Sequence, residues 1–155
     1  MKQRNIKQAA ILIDAAAQAI RAVEYEGLQD MRRLLGGSID MAYSWANGDT
    51  LYVDGEGLLK PQKGFFMLEP VRHPLPGNGL LVGKEVEDPA TGEWWTAAPT
   101  ITIKELRALV SFRTREQIEA WGKAQASEPA VAFTDAQGTP VIERWGSFIA
   151  RMPKA

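Results

Sequence analysis

The stretch DTLYVDGEGLLKPQKGFFMLEPVRHPLPGNGLLVG, residues 49–83, decides the fold because it alternates short apolar runs with turn-forming residues. Residues 50–54 form an apolar-rich run that a Gly-Glu-Gly turn ends, and they are predicted to be a strand. The runs 65–68 and 80–82 have the length of short strands. The proline- and glycine-rich segment 73–79 between them is predicted to be a rigid loop, since proline restricts its backbone.

Upstream of this stretch the sequence predicts two hairpins and one helix. Strands are expected at 10–14 and 19–25, because β-branched residues cluster on both sides of a short Asp-led turn at 14–18. A helix is predicted over 28–35, where an apolar stripe ends at a glycine pair. Residues 38–45 alternate in polarity and reach the strand 50–54 through an Asn-Gly turn, which predicts the second hairpin.

Downstream, residues 87–99 are predicted to be a surface loop that contains the adjacent tryptophans Trp94 and Trp95. Two helices are expected after it, because two threonines are each followed, three positions later, by Glu or Gln. This is the spacing of a capping box, in which the two side chains bond each other's backbone amides. The pairs are Thr102 with Glu105 and Thr114 with Gln117.

The C-terminal part, 102–150, is completed by a predicted hairpin. Its strands are expected at 130–134 and 141–145, on either side of the turn 135–138. Pro140 places the second strand at an edge or makes it start late, because proline has no amide hydrogen for a ladder. Hairpins leave edge strands, so we expect a homo-oligomer, with Val141 and Trp145 buried in a symmetric dimer.

Composition limits the classes of protein to consider. The 155 residues fit a single domain, 1–155, and 18 basic residues against 19 acidic ones provide no field that would attract nucleic acid. The absence of cysteine excludes disulfides, thiolate nucleophiles and sulfur-ligated metals. No signal peptide or membrane-spanning run is visible, so a cytoplasmic location in a host cell and no membrane partner are expected.

Three segments resemble one family, domain-of-unknown-function 3846, whose members are small proteins typical of bacteriophages and plasmids. They are 51–59, 64–66 and 74–83, and the resemblance covers about residues 9–110. It implies an α+β domain carried by mobile elements, and it transfers no catalytic residue. With the patterns above, it predicts a small antiparallel sheet built from hairpins and packed with about three helices.

His73 is the only histidine, and therefore the only side chain whose ordinary charge change lies near neutral pH. It precedes a proline in an extended segment, and no serine lies in a nucleophile elbow, so we expect no catalytic residue. A small hydrolase or transferase that uses His73 with Asp54 or Glu56 is the alternative.

Metals and cofactors are not expected. With one histidine and no cysteine, only a carboxylate site for Mg²⁺ or Ca²⁺ is conceivable, and the segment 54–57 lacks the spacing of a calcium loop. The glycines of 77–79 could present backbone amides to a phosphate. No Gly-Lys-Ser/Thr sequence follows them, however, and an Asn-Gly turn accounts for the segment equally well.

The predicted binding surface is a pair of loops. One is rigid and glycine-rich, and the other carries two adjacent tryptophans, of which one can anchor to the core while the other contacts a partner. The residues are His73, Pro76, Gly77, Asn78, Gly79, Trp94 and Trp95.

The sequence thus favours a non-enzymatic binding protein of a phage or plasmid, a counter-defence factor that binds a host protein or sequesters a small ligand. This expectation follows the family resemblance and not a chemical motif. The first alternative is the small hydrolase or transferase. The second is a nucleic-acid binder, which the neutral charge disfavours.

Overall fold

A computed structural model describes residues 2–4, 6–124, 129–134 and 136–153. The strands are β1 (Lys2–Gln3), β2 (Gln8–Asp14), β3 (Ala19–Tyr25), β4 (Asp40–Ser44), β5 (Thr50–Val53), β6 (Phe65–Leu68), β7 (Leu75–Pro76), β8 (Asn78–Val82), β9 (Glu85–Glu87), β10 (Glu93–Thr96), β11 (Val110–Arg113), β12 (Pro129–Thr134) and β13 (Pro140–Arg144). The helices are α1 (Gly27–Leu35), α2 (Ile103–Leu109), α3 (Arg115–Ala124) and α4 (Trp145–Arg151), with a 3₁₀ turn at Gly57–Leu59.

A five-stranded sheet forms the centre of the fold, in the order β3-β2-β8-β5-β4, and every neighbouring pair is antiparallel. Its middle strand, β8, pairs Leu81 with Ile11 on one side and with Leu51 on the other. Apolar residues continue along β8 because both faces of the sheet are covered. The strand β4 is one edge of this sheet.

The two faces of the central sheet have separate cores. On one face, Leu12 and Leu80 pack with Met31 and Leu35 of α1. On the opposite face, the aliphatic residues of β2, β5 and β8 pack with Phe66 and with residues of α2. This second layer is a three-stranded sheet in the order β11-β6-β7.

The C-terminal helices cover the outer side of the second sheet. Phe65 of β6 packs there with Ile118 of α3 and with Phe148 and Ile149 of α4. The strands β12 and β13 form an antiparallel hairpin that contacts α4.

Buried polar contacts fix the connections between these layers. The carboxylate of Asp49, in the turn between β4 and β5, is fully buried and accepts hydrogen bonds from the backbone amides of Thr100 (3.0 Å) and Ile101 (2.7 Å). Immediately after these residues, Thr102 and Glu105 form a reciprocal capping box that starts α2. The turn of one hairpin therefore holds the start of a distant helix.

A second buried network attaches β10 to the central sheet. The hydroxyl of Thr96 donates to Oε1 of Gln8 (3.0 Å), so it accepts the hydrogen bond from the Tyr25 hydroxyl. The Thr96 amide also donates to Gln8 Oε1. Burial raises the pKa of the Tyr25 phenol, which keeps it a neutral donor.

The predicted α+β class is confirmed, as are the hairpin of β2 and β3, helix α1, the hairpin of β4 and β5, and both capping boxes. Two predicted loops are wrong. Residues 73–79 contain β7 and the start of β8, and residues 87–99 contain β10. The helix α4, which the sequence did not predict, begins at Trp145, where the last strand was expected to end.

The last hairpin is confirmed in its two strands, while residue 135 of its predicted turn lies outside the described residues. The side chain of Trp145, which the dimer prediction invokes, lies outside them as well. In the part of the chain that the structure covers, no helix is both long and apolar enough to cross a membrane.

Candidate functional site

A cleft of about 840 Å³ opens where an edge of the central sheet, β4, approaches an edge of the second sheet, β7. Three chain segments and one residue of the C-terminal hairpin form its walls. They are residues 40–42 of β4, residues 53–56 with Leu58 and Leu59, residues 73–76, and Ala136.

The wall at 54–57 is a turn that Asp54 organises. Its buried carboxylate accepts a hydrogen bond from the Glu56 amide (3.0 Å) and from the Lys60 ammonium (2.8 Å), and the Ser38 hydroxyl lies 3.4 Å away. The Asp-Gly-Glu-Gly sequence folds this way because an Asp side chain readily bonds the amide two residues ahead. The Asp54 carboxylate is therefore already hydrogen-bonded within the turn.

Two glycines let the other walls approach this turn. A Cβ on Gly55 would lie 3.0 Å from the Ser38 hydroxyl and 3.1 Å from the Asp40 Cβ. A Cβ on Gly57 would lie 3.0 Å from Cγ of Pro76. The side chain of Asp40 thus lies over Gly55, next to Glu56 in the chain.

The cleft has an acidic rim. Asp40 and Glu56 are both exposed, and neither forms a salt bridge with any described residue. The described residues that line it include three carboxylates, of Asp40, Asp54 and Glu56, and no lysine or arginine. Among these three, the Asp54 carboxylate has a cationic partner in the described chain, Lys60. The rim therefore offers two free negative charges.

The same cleft has an apolar component. Met41 is 60% exposed and Leu59 is 44% exposed. Leu75 and Pro76, which line the same cleft, are buried. An exposed apolar rim on a concave surface is typical of binding sites.

His73, Asp54 and Glu56 line this one cleft, which brings together the residues of the predicted hydrolase alternative. The His73 ring is exposed, and its Nδ1 lies 3.1 Å from the carbonyl oxygen of Pro74. Of the seven residues predicted to bind, only His73 and Pro76 line the cleft.

Gly77, Asn78 and Gly79 have structural roles. Gly77 has a positive φ of 74°, and its amide donates to the Gly64 carbonyl. The Asn78 side chain donates to the Leu34 carbonyl at 3.0 Å. Gly79 pairs within the central sheet, where a Cβ would lie 2.9 Å from the ring of Phe66. These glycines do not form an exposed cradle of amides, so the phosphate hypothesis is wrong.

Trp94 and Trp95 lie on strand β10, away from the cleft. This strand pairs with β9 and, in parallel, with β1. The guanidinium of Arg4 lies 4.0 Å from the ring centroid of Trp95, and it also bonds Glu93 at 3.1 Å. Both tryptophans are half-buried, and neither lines the cleft that His73 and Pro76 line.

Sequence reasoning missed Asp40, Met41 and Leu59 as cleft residues. Met41 occupied the apolar face of the alternating strand, and the pattern gave no sign that this part of an edge strand is uncovered. Among the described residues, no group of three or more His, Asp or Glu side chains is arranged to hold a metal ion.

Comparison with known proteins gives one family match. A family model described as "Domain of unknown function (DUF3846)" matches residues 6–93, more than half of the 155-residue chain. The matched range contains every cleft residue except Ala136. No curated protein and no solved structure matches the chain. The chain therefore belongs to the DUF3846 family, with a match that begins and ends earlier than the predicted 9–110.

Proposed function

We propose that this protein is a non-enzymatic binding protein that takes a partner protein or a small ligand in the cleft between β4 and β7. The observation that carries the proposal is the placement of Met41 and Leu59 on the rim of one cleft. Burying such side chains against a partner stabilises a complex by removing apolar surface from water.

Met41 is mostly in water and Leu59 is 44% exposed, so the fold depends only in part on their being apolar. Replacing both by serine should leave the protein folded, at a cost of about 1–2 kcal/mol that comes mainly from the buried part of Leu59. The same replacement should weaken a complex that covers them. This separation of stability from binding makes the proposal testable.

The test compares two double variants with the wild type. Met41→Ser/Leu59→Ser changes the cleft, and Ile6→Ser/Leu28→Ser changes two side chains that are 40% and 47% exposed and do not line it. Bound proteins and small molecules captured from bacterial extracts are identified by mass spectrometry. We expect a ligand that the wild type and the Ile6/Leu28 variant retain and the cleft variant loses. Equal capture by all three proteins would refute the proposal.

A second candidate function is the small hydrolase or transferase, which the shared cleft of His73, Asp54 and Glu56 favours. The surroundings of Asp54 speak against it, because this carboxylate is buried and already bonds the Glu56 amide and the Lys60 ammonium, which hold it in the turn. A hydrolytic activity that His73→Ala abolishes, without a change in melting temperature, would support the enzyme and contradict the binding protein.

The family resemblance motivates a biological setting for the proposal. The binding protein would be carried by a phage or plasmid and would occupy a host factor, in a counter-defence role. Phage plating on a defended bacterial host is the assay. The efficiency of phage plating should rise when the host expresses the wild-type protein, and it should stay low when the host expresses Met41→Ser/Leu59→Ser. Equal plating with both proteins would contradict this setting.

A further inference from the structure

We infer that the partner of the cleft is a basic peptide segment of another protein, held by a lysine or arginine between Asp40 and Glu56. An apolar side chain next to that basic residue would cover Met41 and Leu59. This inference rests on the proposed function, since it takes the cleft as the binding surface.

Charge complementarity is the first argument. The lining residues carry three carboxylates. Among the described residues, the one cation in a salt bridge with any of them is Lys60, which also lies 3.3 Å from the Gly36 carbonyl oxygen. The Lys60 ammonium thus already bonds the Asp54 carboxylate and a backbone carbonyl oxygen. Asp40 and Glu56 have no cation of their own in the described chain, and a partner's cation would supply one.

The position of Asp40 strengthens this argument. A Cβ on Gly55 would lie 3.7 Å from the carboxyl carbon of Asp40, so this carboxylate lies over the backbone that leads into Glu56. Two carboxylates on neighbouring segments can both contact one guanidinium or ammonium group. Arginine suits such a site because its planar group donates several hydrogen bonds in fixed directions.

The apolar rim indicates a peptide and not a small cation. Met41 and Leu59 are exposed side chains of two different chain segments that line the cleft, and a partner must present apolar surface beyond its charged group to cover both. Methionine adapts its shape to different partners, and it is common on surfaces that bind peptides.

The edge strand determines how the peptide is held. The register of β4 against β5 shifts between Met41 and Tyr43, which interrupts a regular row of free backbone groups. On the opposite wall, Pro74 and Pro76 have no amide hydrogens to donate. The partner is therefore held by its side chains and does not extend either sheet by a strand.

A display library of random octapeptides tests the inference. It is selected in parallel on the wild type, on Asp40→Asn/Glu56→Gln, and on Glu85→Gln/Glu87→Gln. The last variant removes the same charge from two exposed residues of β9, outside the cleft. Thermal melting confirms that all three proteins are folded.

Peptides selected on the wild type and on the β9 variant should be enriched in arginine or lysine next to apolar residues. Their affinity for Asp40→Asn/Glu56→Gln should be lower by about tenfold, or about 1.4 kcal/mol. The loss should shrink at high salt, because salt screens exposed charges.

Measuring the affinity of the selected peptides for Met41→Ser/Leu59→Ser distinguishes two other outcomes. If the selected peptides need Met41 and Leu59 for binding but carry no excess of basic residues, this inference is overturned and the proposed function stands. A selection in which no peptide binding depends on the rim carboxylates or on Met41 and Leu59 would overturn both.

Discussion

Replacing Asp49 by alanine is the sharpest perturbation of this fold. Its carboxylate is fully buried and accepts two backbone hydrogen bonds, from Thr100 at 3.0 Å and from Ile101 at 2.7 Å. No other contact of this kind joins the turn of the β4–β5 hairpin to the start of α2 in the described chain. The substitution Asp49→Ala leaves both amides without their acceptor.

The cost follows from the number and kind of bonds lost. A hydrogen bond to a charged group contributes about 1.5–3 kcal/mol net, and buried groups left unpaired add to the loss. Two such bonds give a destabilisation of about 3–6 kcal/mol for Asp49→Ala. Asp49→Asn keeps one acceptor oxygen but turns an NH2 donor toward the other amide, so its cost should be at least half as large.

Urea unfolding monitored by tryptophan fluorescence measures this cost. With a slope of about 2 kcal/mol per molar urea, the midpoint should fall by about 2 M for Asp49→Ala. The exposed Asp40→Ala is the control, with a change within about 0.5 kcal/mol. A cost for Asp49→Ala below about 1 kcal/mol would refute the role assigned to this carboxylate.

Three further predictions concern packing, pH and assembly. Gly83→Ala should lower stability by more than about 2 kcal/mol in thermal melting, because its Cβ would overlap the carbonyl oxygens of Ala97 and Ala98; an unchanged melting temperature would contradict this. The hydrogen bond from Arg33 lowers the pKa of Asp30 below its ordinary 3.8, so Asp30 stabilises the fold above that value and loses this contribution as pH falls through the lowered pKa. The stability gap between wild type and Asp30→Asn should therefore close in acid, and a gap independent of pH would contradict it. Sedimentation at tens of micromolar should detect a dimer, and a concentration-independent monomer would exclude the predicted self-association.

Local patterns were enough to predict the first half of the fold. The hairpin of β2 and β3 follows from β-branched clusters around a short turn, even though the alanines between them favour a helix. The capping boxes at Thr102 and Thr114 also depend only on spacing along the chain. These elements are decided by residues that are close in sequence.

The wrong predictions involve, in part, partners far away in sequence. The strand β10 pairs with the neighbouring β9 and, in parallel, with residues 2–3, and nothing near Trp94 indicates the parallel pairing with the N-terminus. Composition alone assigned Gly79 to a turn. It lies in the central sheet, where the residue is glycine because the Phe66 ring leaves no room for a side chain. A turn and a closely packed strand both favour glycine, so composition alone does not distinguish the two.

The candidate site was predicted in part for a similar reason. His73 and Pro76 stood out by residue type, and both line the cleft. Asp40 and Met41 are ordinary residues of an alternating strand, and they belong to the site because β4 is an uncovered edge beside β7. Only the three-dimensional arrangement of the two sheets shows this.

The methyl resonance of Met41 gives the most direct test of the binding cleft. Of the five methionines, Met41 lines the cleft with 60% exposure, whereas Met31 and Met152 are buried in two separate cores. Methionine-methyl NMR is recorded while a captured partner or a selected octapeptide is added. Binding in the cleft should shift the Met41 signal in proportion to the bound fraction and leave the Met31 and Met152 signals in place. Saturated binding with an unmoved Met41 signal would contradict binding in the cleft.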